Sequence, residues 1–270
     1  MVKLVEPSWV AEALGSPEVL VLDPRTRTRY LQGHLKGSIS LPVSRLVGDN
    51  GRLLPADRLA DLFAAAGLED TVVPVVYDSY DGQRGAFMAW ALEYLGSRDV
   101  HLMDTFFEGW VSQGNEIFYR PVEPSPRSFT ARVVPEIRAT LEQVREKGAA
   151  RLLDVRSAEE FTGSSDVDAR PGHIPGATNL IWRRLLGTGD RFLDSAENIR
   201  QLLADSGISP NDPVIAYCRV GMRAGVAYLA LQQLGYDVRL YDGSYSEWQD
   251  AGLPVEGNRS SAPGRGSLAG

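Results

Sequence analysis

At 270 residues, with one cysteine, a formal net charge of −7 and ordinary proportions of apolar and charged residues, the chain is long enough for two domains of typical size. The acidic balance excludes a general polyanion binder, whose affinity would rest on clustered Lys and Arg, and a lone cysteine excludes an intramolecular disulfide. No run of roughly 18 consecutive apolar residues occurs, so no membrane span is expected, and residues 1–7 lack the apolar run and small-residue cleavage site of a secretory leader, which points to the cytoplasm.

Taken in chain order, the first strong signal is the apolar run 19–22 ending in Asp23-Pro24-Arg25, followed by Gly33-His34-Leu35-Lys36-Gly37-Ser38. A helix is predicted over 59–66, an apolar strand over 72–77, a loop from Asp78 to Arg84, and a second helix over about 86–95 that closes at Gly96. Leu102-Met103-Asp104 and Trp110 follow. The segment 120–127 then carries Pro121, Pro124 and Pro126, which remove backbone donors and favour an extended linker.

Beyond the linker the same plan returns. Leu152-Leu153-Asp154-Val155-Arg156 answers to the first Asp-x-Arg strand end, and Gly172-His173-Ile174-Pro175-Gly176-Ala177 to the first Gly-His turn. A helix is predicted over 199–206, a strand over 213–217, a loop from Cys218, and a helix over 224–234 closing at Gly235. Leu240-Tyr241-Asp242 precedes Trp248 with the spacing of Asp104 and Trp110. Such alternation reads as α/β, two tandem domains each with a mainly parallel sheet flanked by helices. The boundaries expected are 1–118, a linker at 119–129, 130–257, and a mobile tail of Ser, Gly and Pro at 258–270.

Cys218 ends a buried strand and opens Cys218-Arg219-Val220-Gly221-Met222-Arg223, after which a helix begins. In an open parallel sheet, ligands bind outside the carboxyl ends of the strands. A short loop entering a helix turns backbone N–H groups inward and adds partial positive charge, and Arg219 and Arg223 strengthen that field. Both effects favour a thiolate, the nucleophilic form of cysteine. The competing reading is a buried structural thiol.

Tyr217 through Ala224, with Asp154-x-Arg156, the Gly172 to Ala177 turn and Asp242-Gly243-Ser244 with Trp248, resembles the rhodanese family over about residues 4 to 256. The resemblance implies a tandem of rhodanese domains in which the C-terminal one is active and the N-terminal one has lost its cysteine. Asp78 indeed stands opposite Cys218, in a loop one residue longer. What the resemblance implies is sulfur transfer through a Cys218 persulfide, with no cofactor, between a small-molecule donor and a thiophilic acceptor such as cyanide or a thiol. Arg219, Val220, Gly221, Met222 and Arg223 would bind the donor.

The loop is most similar to the Cys-Arg-x-Gly-x-Arg form of bacterial thiosulfate sulfurtransferases. Two cations suit the thiosulfate dianion better than 3-mercaptopyruvate, the alternative donor. Family members often carry a donor-binding arginine after the Asp-x-Arg strand end, where this chain has Glu160. The other alternative is a relay delivering sulfur to a protein partner. Cysteine-dependent phosphatases use a longer Cys-x5-Arg loop, whereas four residues separate Cys218 from Arg223.

His34, His101 and His173 show no metal-ligand spacing, and no metal is expected. His34 and His173 recur in both halves, including the half without a nucleophile, so they are expected to be structural. The same control assigns Asp23/Arg25 and Asp154/Arg156 to bracing, with substrate contact by Arg156 as the alternative, and Trp110 and Trp248 to packing. Gly221 is expected to let the cradle close.

Overall fold

The computed structural model describes residues 1–188 and 191–257; the tail expected at 258–270 lies outside them. In the first half, β1 (Lys3–Val5) leads to α1 (Pro7–Ala13), β2 (Val19–Asp23), α2 (Arg27–Leu31), β3 (Ile39–Ser40), α3 (Ala56–Ala65), β4 (Val73–Val76), α4 (Gln83–Tyr94), β5 (His101–Met103) and α5 (Phe107–Ser112). The second half runs α6 (Leu141–Glu146), β6 (Arg151–Asp154), α7 (Ala158–Thr162), β7 (Ala177–Asn179), α8 (Ala196–Asp205), β8 (Val214–Tyr217), α9 (Met222–Gln233), β9 (Val238–Leu240) and α10 (Ser244–Asp250).

The two sheets have one topology. Their orders are β1-β5-β4-β2-β3 and β7-β6-β8-β9, every paired strand is parallel, and β1 is the one addition in the first. The apolar runs at β2, β4, β6 and β8 are central because helices cover both faces of a parallel sheet. The outer faces pack on small cores around Trp110 in one half and Trp248 in the other. The indole N–H groups donate to the carbonyls of Glu116 and Pro254.

The inner faces share one core across both halves. At its centre α4 packs on α9, and both are buried nearly all round. Their backbones approach closely: a methyl at Gly225 would lie 2.9 Å from the Phe87 nitrogen. Glu93 on α4 accepts hydrogen bonds from Tyr228 and Gln232 on α9. Two helices without a polar face cannot face water, and each is the other's cover.

Element starts differ from the sequence expectation in a consistent way. α3 and α8 begin three residues before 59 and 199, because their first turns are polar and carry no apolar periodicity. Ser195 caps α8, accepting from the Asn198 N–H at 3.2 Å. The extended segment runs from 121 to 134, and Arg127, Arg132 and Val134 donate to the carbonyls of Ala64, Leu95 and Tyr94. It is therefore strapped along the first half before Ala139 joins the second through the Leu240 carbonyl. Among the described residues no helix is long and apolar enough to cross a membrane.

Candidate functional site

Cys218 immediately follows β8, at the carboxyl edge of the second sheet. Its backbone is pinned on both sides: the N–H donates to Ser244 Oγ at 3.1 Å, and the carbonyl accepts from the Tyr245 N–H at 3.0 Å. The sulfur accepts the Gly221 N–H at 3.1 Å. That donation needs the chain to reverse over three residues, and Gly221 does so at φ 88°, at the start of α9. A methyl there would lie 3.1 Å from both the Asp242 carbonyl oxygen and the Phe87 ring, so glycine is required for room as well as for conformation. Cys218 is 1 % exposed, at the base of the loop.

The candidate arginines are both paired. Arg223 makes a two-pronged contact with Glu160, at 2.6 and 2.8 Å. Glu160 is fixed by the capping box of α7, whose Ser157 N–H it accepts at 3.1 Å. Burial pushes the Glu160 carboxyl up, but Arg223 and the Ser157 N–H outweigh it and hold the group below its ordinary range. Burial likewise opposes the Arg223 charge, while the Glu160 carboxylate and the adjacent Cys218 sulfur outweigh it and raise its pKa. Arg219 donates from Nε to Asp168 at 2.9 Å and from Nη2 to the Val167 carbonyl at 3.0 Å. Val220 packs over Gly51 of the first half, and Met222 enters the shared core.

The first half thus walls the loop through Phe87 and the segment around Gly51. Asp242, after β9, accepts from Arg138 twice at 2.8 Å and from the Leu53 N–H at 2.9 Å, tying the first half to the floor of the site. The arrangement is reciprocal. Asp104 accepts the Phe192 N–H at 3.1 Å, and the Phe192 ring covers Gly82 in the first loop. Each half caps the other's strand-to-helix loop.

Asp78 occupies the place of Cys218 in the first half, and Gly82 starts the helix one residue later than Gly221 does. Its carboxylate is fully buried and accepts N–H groups of its own loop, from Ser79 at 2.8 Å and Gly85 at 2.9 Å. Burial dominates those two donors and pushes its pKa up to about 7. A carboxylate turned inward on its own backbone offers no group able to carry sulfane sulfur.

The repeated braces behave as their duplication implied. Arg25 is bound to Asp23 and to the Gly33 carbonyl, and Arg156 to Asp154 and the Gly172 carbonyl. Arg156 is 0 % exposed and stacked 4.0 Å over the Tyr245 ring, which removes the alternative of substrate contact. His34 and His173 stack on Tyr30 and Phe161 and bond to backbone carbonyls. Sequence reasoning missed Asp168, Arg138 and Leu53, and quoted Ser244 only within the family motif. One signal for Asp168 was available: sixteen positions separate Arg156 from Gly172, against eight from Arg25 to Gly33.

A profile for the Rhodanese-like domain matches twice, at residues 6–113 and 138–251. The chain belongs to the rhodanese-like family. It is 31 % identical to a thiosulfate sulfurtransferase of Pseudomonas aeruginosa over 94 % of this chain and 96 % of that one. It is 30 % identical to the sulfur carrier protein TtuD of Thermus thermophilus, over 93 % of this chain and 95 % of that one. Among solved structures, wild-type EanB superposes with a TM-score of 0.87 at 22 % identity, covering 95 % of this chain and 69 % of that one, a likeness of fold.

Proposed function

We propose that the chain is a thiosulfate sulfurtransferase in which Cys218 is the nucleophile. The observation that carries this reading is the Cys218 sulfur accepting the Gly221 N–H at 3.1 Å, beside the charge of Arg223. That setting favours the thiolate and, after transfer, the persulfide anion. The thiolate attacks the sulfane sulfur of thiosulfate; the new sulfur–sulfur bond forms at Cys218 as the old one breaks, and its electron pair leaves with sulfite. A thiol or cyanide then takes the outer sulfur and returns the thiolate, in a ping-pong sequence.

In this reading residues 1–118 form a noncatalytic partner that walls the site, and residues 130–257 carry the chemistry. Thiosulfate is preferred to 3-mercaptopyruvate because relatives bear that name and because, with Arg223 committed to Glu160, the partly exposed Arg219 remains in the loop to meet a dianion. A lone cysteine fits a reducing compartment such as the cytoplasm. Transfer to a protein acceptor is the second reading, favoured by the likeness to the sulfur carrier protein.

Intact-mass measurement tests the proposal. Thiosulfate should add the mass of one sulfur atom, release one sulfite, and do neither in Cys218→Ser. Saturable turnover with cyanide separates an enzyme from a relay that discharges only to a protein partner. Normal sulfite release by the Ser variant would remove Cys218 from the mechanism.

A further inference from the structure

The second half carries eight more residues between its Asp-x-Arg brace and its Gly-His turn than the first half, sixteen against eight. This added segment lies on α10, the helix whose Tyr245 N–H also holds the Cys218 carbonyl. The Tyr245 hydroxyl donates to the Arg170 carbonyl, and the Arg170 N–H to Gln249 at 3.3 Å. What it brings to the site is Asp168. One carboxylate oxygen of Asp168 meets Arg156 at 2.9 Å and the other meets Arg219 at 2.9 Å.

The two arginines differ in freedom. Arg156 is 0 % exposed and held by Asp154 as well, and Asp168 itself is 2 % exposed. The Arg219 side chain is 41 % exposed. Asp168 is therefore the fixed partner, and Arg219 is the one that can turn toward a ligand. While the pair is closed, an arriving anion meets a dipole in place of a cation, and an incoming dianion must draw Arg219 away from a carboxylate already at contact distance.

We propose that Asp168 is a specificity-determining residue, which competes with the donor's sulfonate for Arg219 and so sets how strongly the site takes a dianionic donor. The inference rests on the sulfur-transfer reading above. Asparagine at 168 can still accept from Arg156 through its carbonyl, but its amide offers Arg219 no acceptor on the other side. The Asp168→Asn change thus removes the carboxylate that competes for Arg219, leaving it only the neutral Val167 carbonyl, while Asp154 continues to hold Arg156.

The test is calorimetric titration of thiosulfate into Cys218→Ser, where no sulfur can be transferred, with and without Asp168→Asn. A charge-assisted contact recovered for the ligand predicts binding at least about tenfold tighter in the Asn variant. In an Arg219→Gln background the same change should have under about threefold effect, because the gain runs through Arg219. Should the amide variant not fold, Asp168→Ser removes the same carboxylate.

No gain on removing the carboxylate, whether affinity is unchanged or neither protein binds, overturns the proposal. So does an undiminished gain without Arg219, which would reduce Asp168 to a distant charge. Failure of wild type to acquire sulfur from thiosulfate in the mass measurement bears on the reaction, and is read separately from these affinities.

Discussion

Asp78→Asn probes the inactive loop through pH. In the folded chain Asp78 is pushed from an ordinary value of 3.8 to about 7 by full burial, against two backbone donors. The folded state therefore holds the proton more tightly than the unfolded state. Below pH 3.8 both are protonated and the group contributes no pH dependence; as pH rises toward 7 the unfolded chain gains by ionising first, so stability falls until the folded pKa is passed. The total is roughly 4 kcal/mol, of which roughly 2.5 kcal/mol falls between pH 5 and pH 8.

Asparagine does not titrate, and its amide faces one of the two N–H donors, so a constant cost of about 1 to 3 kcal/mol is expected at every pH. The quantity to read is the difference between wild type and variant, in which the other titrating groups cancel. Urea unfolding at pH 5 and pH 8 should show wild type losing about 2.5 kcal/mol relative to Asp78→Asn over that interval. A difference independent of pH would show that Asp78 is already ionised at pH 5, and that the Ser79 and Gly85 donors outweigh its burial.

Three further outcomes follow from the geometry of the two loops. Glu160→Gln removes the carboxylate paired with Arg223, and the pH profile of Cys218 alkylation by iodoacetamide should move to lower pH by up to about one unit; a move to higher pH would mean Glu160 matters chiefly by holding Arg223 in place. Gly221→Ala places a side chain at φ 88° against Asp242 and Phe87, costing at least about 1 to 3 kcal/mol in denaturant unfolding and abolishing sulfur loading; normal loading would deny the Gly221 N–H its role. Asp78→Cys in a Cys218→Ser background should stay inactive in thiosulfate turnover, because its loop is one residue longer and Phe192 covers Gly82; recovery near the wild-type rate would show that loop length does not shape the cradle.

Much of the architecture was written in periodicity and repetition. The buried runs at β2, β4, β6 and β8, the two Asp-x-Arg strand ends and the matched Trp positions define two α/β units because sheets covered on both faces demand apolar strands. The duplication also acts as an internal control: a feature present in the half without the cysteine, such as His34 or Arg25, is assigned to structure by sequence alone. Polar helix starts and edge strands such as β3, only two residues long, leave little periodic signal.

What the sequence determined by itself is the candidate thiol, its loop and the helix after it, because those residues are contiguous and their chemistry is local. What tertiary structure decided is the charge state of the surroundings. Arg219 and Arg223 read along the chain as two free cations, yet Asp168 and Glu160, 51 and 63 positions away, close on them. The wall supplied by Phe87 and the tie from Leu53 to Asp242 come from the other half altogether. Charge compensation and packing depend on distance in space, and pattern along a chain carries no record of which distant side chain folding will bring to a guanidinium.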